Sequence, residues 1–162
     1  DVVNMSFGGR VAPRFLEAAL AFAHERGVSL VASVGNTGGR DDFHYPSSSL
    51  YVCGVGATDG QDRRAGFSSW GVDVQGSAPG LGLEGAGPGG SRVVGAGTSF
   101  AAPLVSGAVA ARLSRDVGLD PFTLYGHLGA TGLPLADDWV YRMGLFGPRL
   151  DFDDFLAAGA VY

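Results

Sequence analysis

The chain contains one cysteine and no lysine among its 162 residues, and each scarcity removes a class of explanation. Cys53 alone can form no internal disulfide, and no thiol-based zinc cluster can be built around it. Its setting, YVCGVGAT, is a predicted buried strand, where cysteine acts as a small hydrophobe. All positive charge is arginine, 11 residues against 16 Asp and Glu, for a net charge of −5 with no basic run. A nucleic-acid groove or a contact with an anionic membrane surface therefore has no electrostatic basis. We read the missing lysine as compositional bias and give it no mechanistic role. No apolar run approaches the roughly 18 residues that a membrane-spanning helix needs, and no signal peptide is recognised. Aromatic residues such as Phe67, Trp70, Trp139 and Phe146 are scattered; they are expected to pack, since no stripe suggests a base-stacking platform.

What is present is the makings of one folded unit. The chain is 46% hydrophobic, enough to bury a core. Its 28 glycines follow no fixed period and gather in SFGG, GNTGG and GLGLEGAGPGG, as turns and close backbone approaches do. No repeat or linker divides the chain. It begins with Asp, inside the strand-like DVVNMSF, and is expected to be a piece of a longer protein.

Periodicity orders the elements. VVNMSF is a short apolar run, and APRFLEAALAFAHERG changes to helical spacing, with Phe15, Leu16, Ala19, Leu20, Phe22 and Ala23 on the apolar face. Pro13 suits the first turn and Gly27 the stop. VSLVASVG and YVCGVGATD are nearly continuous apolar strands, the mark of a parallel sheet covered on both faces. GVDVQGSAPG gives a shorter strand closed by a Pro-Gly turn. A glycine loop is expected over 80–97, then a helix from about Ser99 to Arg115 closed by Gly118, and further helix around PFTLYGHL and the final segment.

Functional loops of such sheets lie at the carboxyl ends of the strands. Two polar signals fall there: Asn36, in GNTG after the strand VSLVASVG, and Ser99, which opens a helix after GAG. A serine at a helix N-terminus has unpaired N–H groups around it and the positive end of the dipole beneath it. That arrangement can hold an oxyanion, and a side-chain amide at a strand end is a fitting second donor. The plainer alternatives are an N-cap for Ser99 and a turn residue for Asn36.

These residues carry a resemblance. GTSFAAP at 97–103 is similar to the nucleophile motif G-T-S-x-A-x-P of the subtilisin-like serine proteases, or subtilases, and ASVGNTG resembles their oxyanion segment. DVVNMSFGG looks like their strand and substrate edge, GVGATDGQDRRAGFSSWGVDVQGSAPG like the strand, F-S-S-x-G and A-P-G run that follows, and RMGLFG is a weaker echo of a late glycine motif. The resemblance implies an α/β fold, a subtilisin-like three-layer structure with a mostly parallel β-sheet, incomplete at the N-terminal side. The whole of 1–162 would then be the carboxyl-terminal part of a catalytic domain.

Roles follow from the resemblance position by position. Ser99 would be the nucleophile, and its N–H with the Asn36 side chain would form the oxyanion hole. Ser6, Phe7, Gly8 and Gly9 would bind an extended peptide at the cleft edge. Ser33, Val34 and Gly35 would line the opposite wall of the specificity pocket, with Thr98 among the substrate contacts. Gly97 would allow a tight turn, and Pro103 sits in the first turn of the helix. The implied partners are a peptide or protein substrate and the missing N-terminal half of the domain, with no nucleic acid and no membrane. The implied location is extracellular or the cell envelope. No cofactor is evident and no metal is assigned, structural calcium being possible in the intact parent. Asp151, Asp153 and Asp154 lack the Gly and distal Glu of an EF-hand loop and are expected to be a solvated helix start.

The departure from the family lies in the rest of the triad. A serine hydroxyl needs a histidine to take its proton and a carboxylate to orient that histidine, and in the subtilase order both precede the serine. No D-[ST]-G or H-G-T-H type segment occurs. Of His24, His44 and His127, His44 has the best claim as a base because Asp41 and Asp42 lie nearby, and that claim is small. The chain alone is expected to be nearly inactive. Its rivals are a subtilase-fold module that binds peptides or a partner without catalysis, an enzyme split over two chains, and an α/β-hydrolase, whose G-x-S-x-G elbow is absent.

Overall fold

Alternation of side chains along the central strands sets the layers. In the computed structural model, which describes residues 1–41, 43–136 and 138–159, four parallel strands lie in chain order: β1 (Val2–Met5), β2 (Ser29–Ser33), β3 (Val52–Thr58) and β4 (Val74–Pro79). Pairing runs Val3 to Leu30, Val31 to Cys53 and Gly56 to Ser77. On one face Val31, Cys53, Val55 and Ala57 pack against Ala101, Val105 and Val109 of helix α2 (Thr98–Arg115). On the other, Met5, Leu30, Ala32 and Val52 pack against Leu20 of helix α1 (Arg14–His24). Helix, sheet and helix thus form the expected three layers, and the central strands β2 and β3 are buried at every position because both faces are covered. Within the described sheet β1 pairs with β2 alone and forms one edge.

Two expectations need correction. The apolar face of α1 does not include Phe15, which is 79% exposed, or Phe22, whose ring lies under the Arg26 guanidinium. The helix is short and only Leu20 is fully buried, with Leu16 and Ala23 packed beside the core. The glycine loop over 80–97 is instead an antiparallel hairpin, β5 (Leu81–Ala86) and β6 (Arg92–Ala96), joined through a 3₁₀ turn at Pro88–Gly90. Glycine carries no side-chain periodicity, so the alternation that marks a strand is invisible in GLGLEGAG.

The remaining helices clamp the sheet from the α2 side and the far end. Helix α3 (Pro121–Thr131) places Leu124 and Leu128 in the main core, and the buried Tyr125 hydroxyl both donates to the Leu30 carbonyl, at 2.9 Å, and accepts from its N–H, at 2.7 Å. Short helix α4 (Trp139–Arg142) puts Val140 beside Phe146 in a third cluster with Val34 and Val74, and Trp139 stands edge-on to Trp70. Phe146 fills the place where a side chain on Gly56 would sit. Helix α5 (Phe152–Ala157) is capped by Asp151, which accepts from the Asp154 N–H at 3.0 Å. Buried Arg112 donates to the carbonyls of Leu156 and Ala158 and pairs with Asp116 at 2.6 Å, which ties α5 to α2. Cys53 is fully buried, and burial pushes its thiol up to about 12, so it is neither ionised nor accessible.

Candidate active site

The carboxyl ends of β1 and β2 and the N-terminus of α2 converge, and the sequence dictates why. Gly97 has φ of +150°, a backbone state that side chains disfavour, and turns the chain from β6 into α2. Thr98 and Ser99 become the first helical residues, where N–H groups have no intrahelical acceptor. The Thr98 N–H donates to Asn36 Oδ1 at 2.9 Å, and the Thr98 hydroxyl donates to the same oxygen at 3.0 Å. A backbone N–H can only donate, so the group it meets on Asn36 is the amide oxygen. Nδ2 is thereby turned away as a donor, and it lies 3.4 Å from where a β-carbon on Gly97 would stand.

Thr98 has a second connection. Its hydroxyl accepts from the Gly35 N–H at 3.2 Å. With 1% of its surface exposed and its hydroxyl committed at both ends, Thr98 is a buried brace under Asn36.

Ser99 is held from β1. Ser6 Oγ donates to the Ser99 carbonyl at 2.9 Å, and Ser99 Oγ donates to the Ser6 carbonyl at 3.4 Å. The second bond is long, so little holds the nucleophile candidate in place. Asn4 Nδ2 donates to Ser6 Oγ at 2.9 Å, and Ser106 Oγ, two helical turns beyond Ser99, donates to Asn4 Oδ1 at 3.1 Å. Neither Asn4 nor Ser106 belongs to a motif in the sequence; the spacing from 99 to 106 is the one local signal, placing both serines on one helix face.

The segments 6–9 and 33–35 both adjoin the N-terminus of α2, through Ser6 and Gly35. Phe7 and Gly8 are exposed at the end of β1. Gly9 pairs with Tyr45 through both its N–H and its carbonyl, at 2.9 and 2.8 Å. Opposite, the Val34 N–H bonds the Val55 carbonyl, and the Gly35 carbonyl accepts from the Ser69 N–H. The Ser33 and Val34 side chains are buried.

His44 stands between the walls. A β-carbon on Gly8 would overlap Cε1 of its ring, and one on Gly35 would lie 2.9 Å from Cδ2 and 3.0 Å from Nε2. Burial pushes its pKa below the usual imidazole value, against the nearby Asp41 charge and a hydrogen bond to the Ser33 backbone, which raise it. The loop is anchored by Glu17 of α1, which accepts from Tyr45 Oη at 2.6 Å and Ser49 Oγ at 3.2 Å. Asp41 pairs with Arg10 at 3.8 Å, and Asp42 lies outside the described residues. The described hydrogen bond of Ser99 Oγ goes to the Ser6 carbonyl, which leaves His44 in a wall position. His24 sits between the rings of Tyr51 and Phe122, and His127 lies on α3.

A serine at a helix N-terminus and a fixed amide beside it lie at the carboxyl edge of a parallel sheet in a layered α/β protein. Comparison with known proteins takes this further. The sequence profile of the Subtilase family matches residues 1–131, and the chain belongs to that family. Subtilisin DY of Bacillus licheniformis is 35% identical over 148 residues, which are 90% of this chain and 54% of the relative. A solved structure of the patellamide maturation protease superposes with a TM-score of 0.85 at 34% identity, covering 98% of this chain and 63% of that one. A cold-adapted subtilisin-like serine proteinase gives 0.83 at 32% identity, covering 92% and 54%. The chain thus spans about half the length of subtilisin DY.

Proposed function

We propose that this chain is the nucleophile-bearing part of a subtilase catalytic domain, and that the intact protein is a serine endopeptidase. The observation that carries this is the orientation of Asn36. With Oδ1 taken by two donors of Thr98, Nδ2 is presented beside the helix N-terminus, where the Ser99 N–H supplies the second donor to an oxyanion. Ser99 attacks the carbonyl of a peptide lying against Ser6, Phe7 and Gly8, an acyl-enzyme forms on Oγ, and water releases it.

The proton of Ser99 goes to a histidine outside this chain, oriented by an aspartate also outside it. The coverage of about half of subtilisin DY supports that division, as does the edge position of β1, where further strands would pair. Without that part the chain alone hydrolyses peptides poorly, and any structural calcium belongs to the intact protein. Family membership favours an extracellular or cell-envelope location; among the described residues no helix is long and apolar enough to cross a membrane.

The test is hydrolysis of a mixed peptide library by the intact protein and by its Ser99→Ala variant. Cleavage by the first and none above background by the second is the expected result. A folded wild type that binds peptides along β1 and cleaves none would make this a binding module.

A further inference from the structure

We propose that His44 closes the floor of the crevice between Gly8 and Gly35, and so restricts the residue on the acyl side of the cut bond to short side chains: glycine, alanine or serine. This rests on Ser99 and Asn36 acting as described above.

The position of the scissile carbonyl leaves its side chain little choice. Its carbon must reach Ser99 Oγ while its oxygen turns to Asn36 Nδ2. The adjoining space lies at the carboxyl ends of two neighbouring parallel strands, β1 leading to Ser6–Gly9 and β2 leading to Ser33–Gly35. Both walls are stripped of side chains at the points where they face each other, Gly8 and Gly35, which would ordinarily make a slot deep enough for a large apolar group. The imidazole of His44 occupies that space instead. Its Cε1 and Nδ1 lie where a β-carbon on Gly8 would stand, and its Cδ2 and Nε2 crowd the place of one on Gly35.

The ring is held there from several sides. Ser47 Oγ lies 3.4 Å from Nδ1 and also donates to the His44 carbonyl at 2.5 Å. The Ser33 backbone hydrogen-bonds the imidazole. The next residue, Tyr45, is fixed by Glu17 and by the paired bonds to Gly9. Swinging the ring out would break these contacts, so it acts as a fixed floor. The charges that face it, Asp41 and Arg10, are of opposite sign and paired with each other, and burial favours the neutral ring. Size therefore selects, and charge does not.

The experiment compares kcat/KM of the intact protein on peptides that differ only in this residue, Ala against Phe, for the wild type, His44→Gly and His44→Ser. The ratio is taken within each preparation, so a partial loss of folded protein cancels. The wild type is expected to favour Ala by more than tenfold, and both variants to shift the ratio toward Phe by about 10 to 200-fold, the range that filling or emptying part of an apolar pocket supplies. A wild type that cleaves after Phe as well as after Ala overturns the proposal without any variant. So does an unchanged ratio in both variants while Ser99 still reacts with a small organophosphonate. Absence of both cleavage and Ser99 labelling in the wild type would remove the nucleophile assignment, and the proposal with it.

Discussion

Replacing Thr98 by valine tests the brace beneath the site at nearly constant shape. The hydroxyl lost in Thr98→Val donates to Asn36 Oδ1 at 3.0 Å and accepts from the Gly35 N–H at 3.2 Å. Asn36 keeps its bond from the Thr98 N–H, so the first loss is that of one ordinary hydrogen bond, about 1 kcal/mol. The Gly35 N–H is buried and loses its partner, which costs about 1–3 kcal/mol. We expect about 2–3 kcal/mol less stability after local relaxation, a shift of roughly 1 M in the urea midpoint at a slope of about 2 kcal/mol/M. Unfolding is measured in a Ser99→Ala background so that self-digestion does not distort the curve. In the active protein, kcat should fall about fivefold to tenfold with little change in KM, because Nδ2 acts on charge that develops only in the transition state. Thr98→Ser keeps the hydroxyl and should recover most of both effects. A Thr98→Val protein within about 0.3 kcal/mol of wild type would show that the brace does not exist; a serine variant as poor as the valine one would show that the hydroxyl is not the cause.

Asn36→Ala should lower kcat by about 10² to 10³, the known cost of losing an oxyanion donor in subtilisin rather than a figure worked from these distances, and steady-state kinetics on a peptide substrate reads it directly. His44 makes stability depend on pH: its folded pKa is lowered by burial, so the unfolded state binds the proton more readily and stability falls as pH drops from about 6.5 through the folded value. Urea midpoints of wild type and His44→Gln between pH 7.5 and 5 should diverge on the acid side only; parallel profiles would contradict that. Arg112→Met removes the donors to Leu156 and Ala158 and should loosen α5, seen as faster amide exchange over 152–157 with a loss of about 1–3 kcal/mol.

The sheet is legible because its central strands are buried on both faces: VSLVAS and YVCGVGAT are nearly continuous apolar runs, and β2 and β3 are buried at every position. Helix α2 was legible from its alanine and valine run and the glycine before it. The β5–β6 hairpin was hidden by its glycines, and the exposure of Phe15 and Phe22 could not be foreseen, since helical spacing says which residues share a face and not how much of that face is covered. At the site, Ser99 and Asn36 stood out through motif and position. The brace by Thr98 and the Asn4–Ser106 link depend on contacts between residues about 60 to 100 positions apart in the chain, and the place of His44 on a loop that folds back onto Gly8 and Gly35, where local pattern carries no information. His44 is the clearest case: beside Asp41 and Asp42 it suggested a base, and only the closeness of Gly8 and Gly35 makes it part of a wall.

The most direct test of the account is the site of covalent labelling in the intact protein by a fluorophosphonate at neutral pH, read by mass spectrometry of its peptides. One adduct is expected, on Ser99, lost on Ser99→Ala and slowed by Asn36→Ala. A protein that folds, cleaves peptides and carries its adduct on another residue would contradict it.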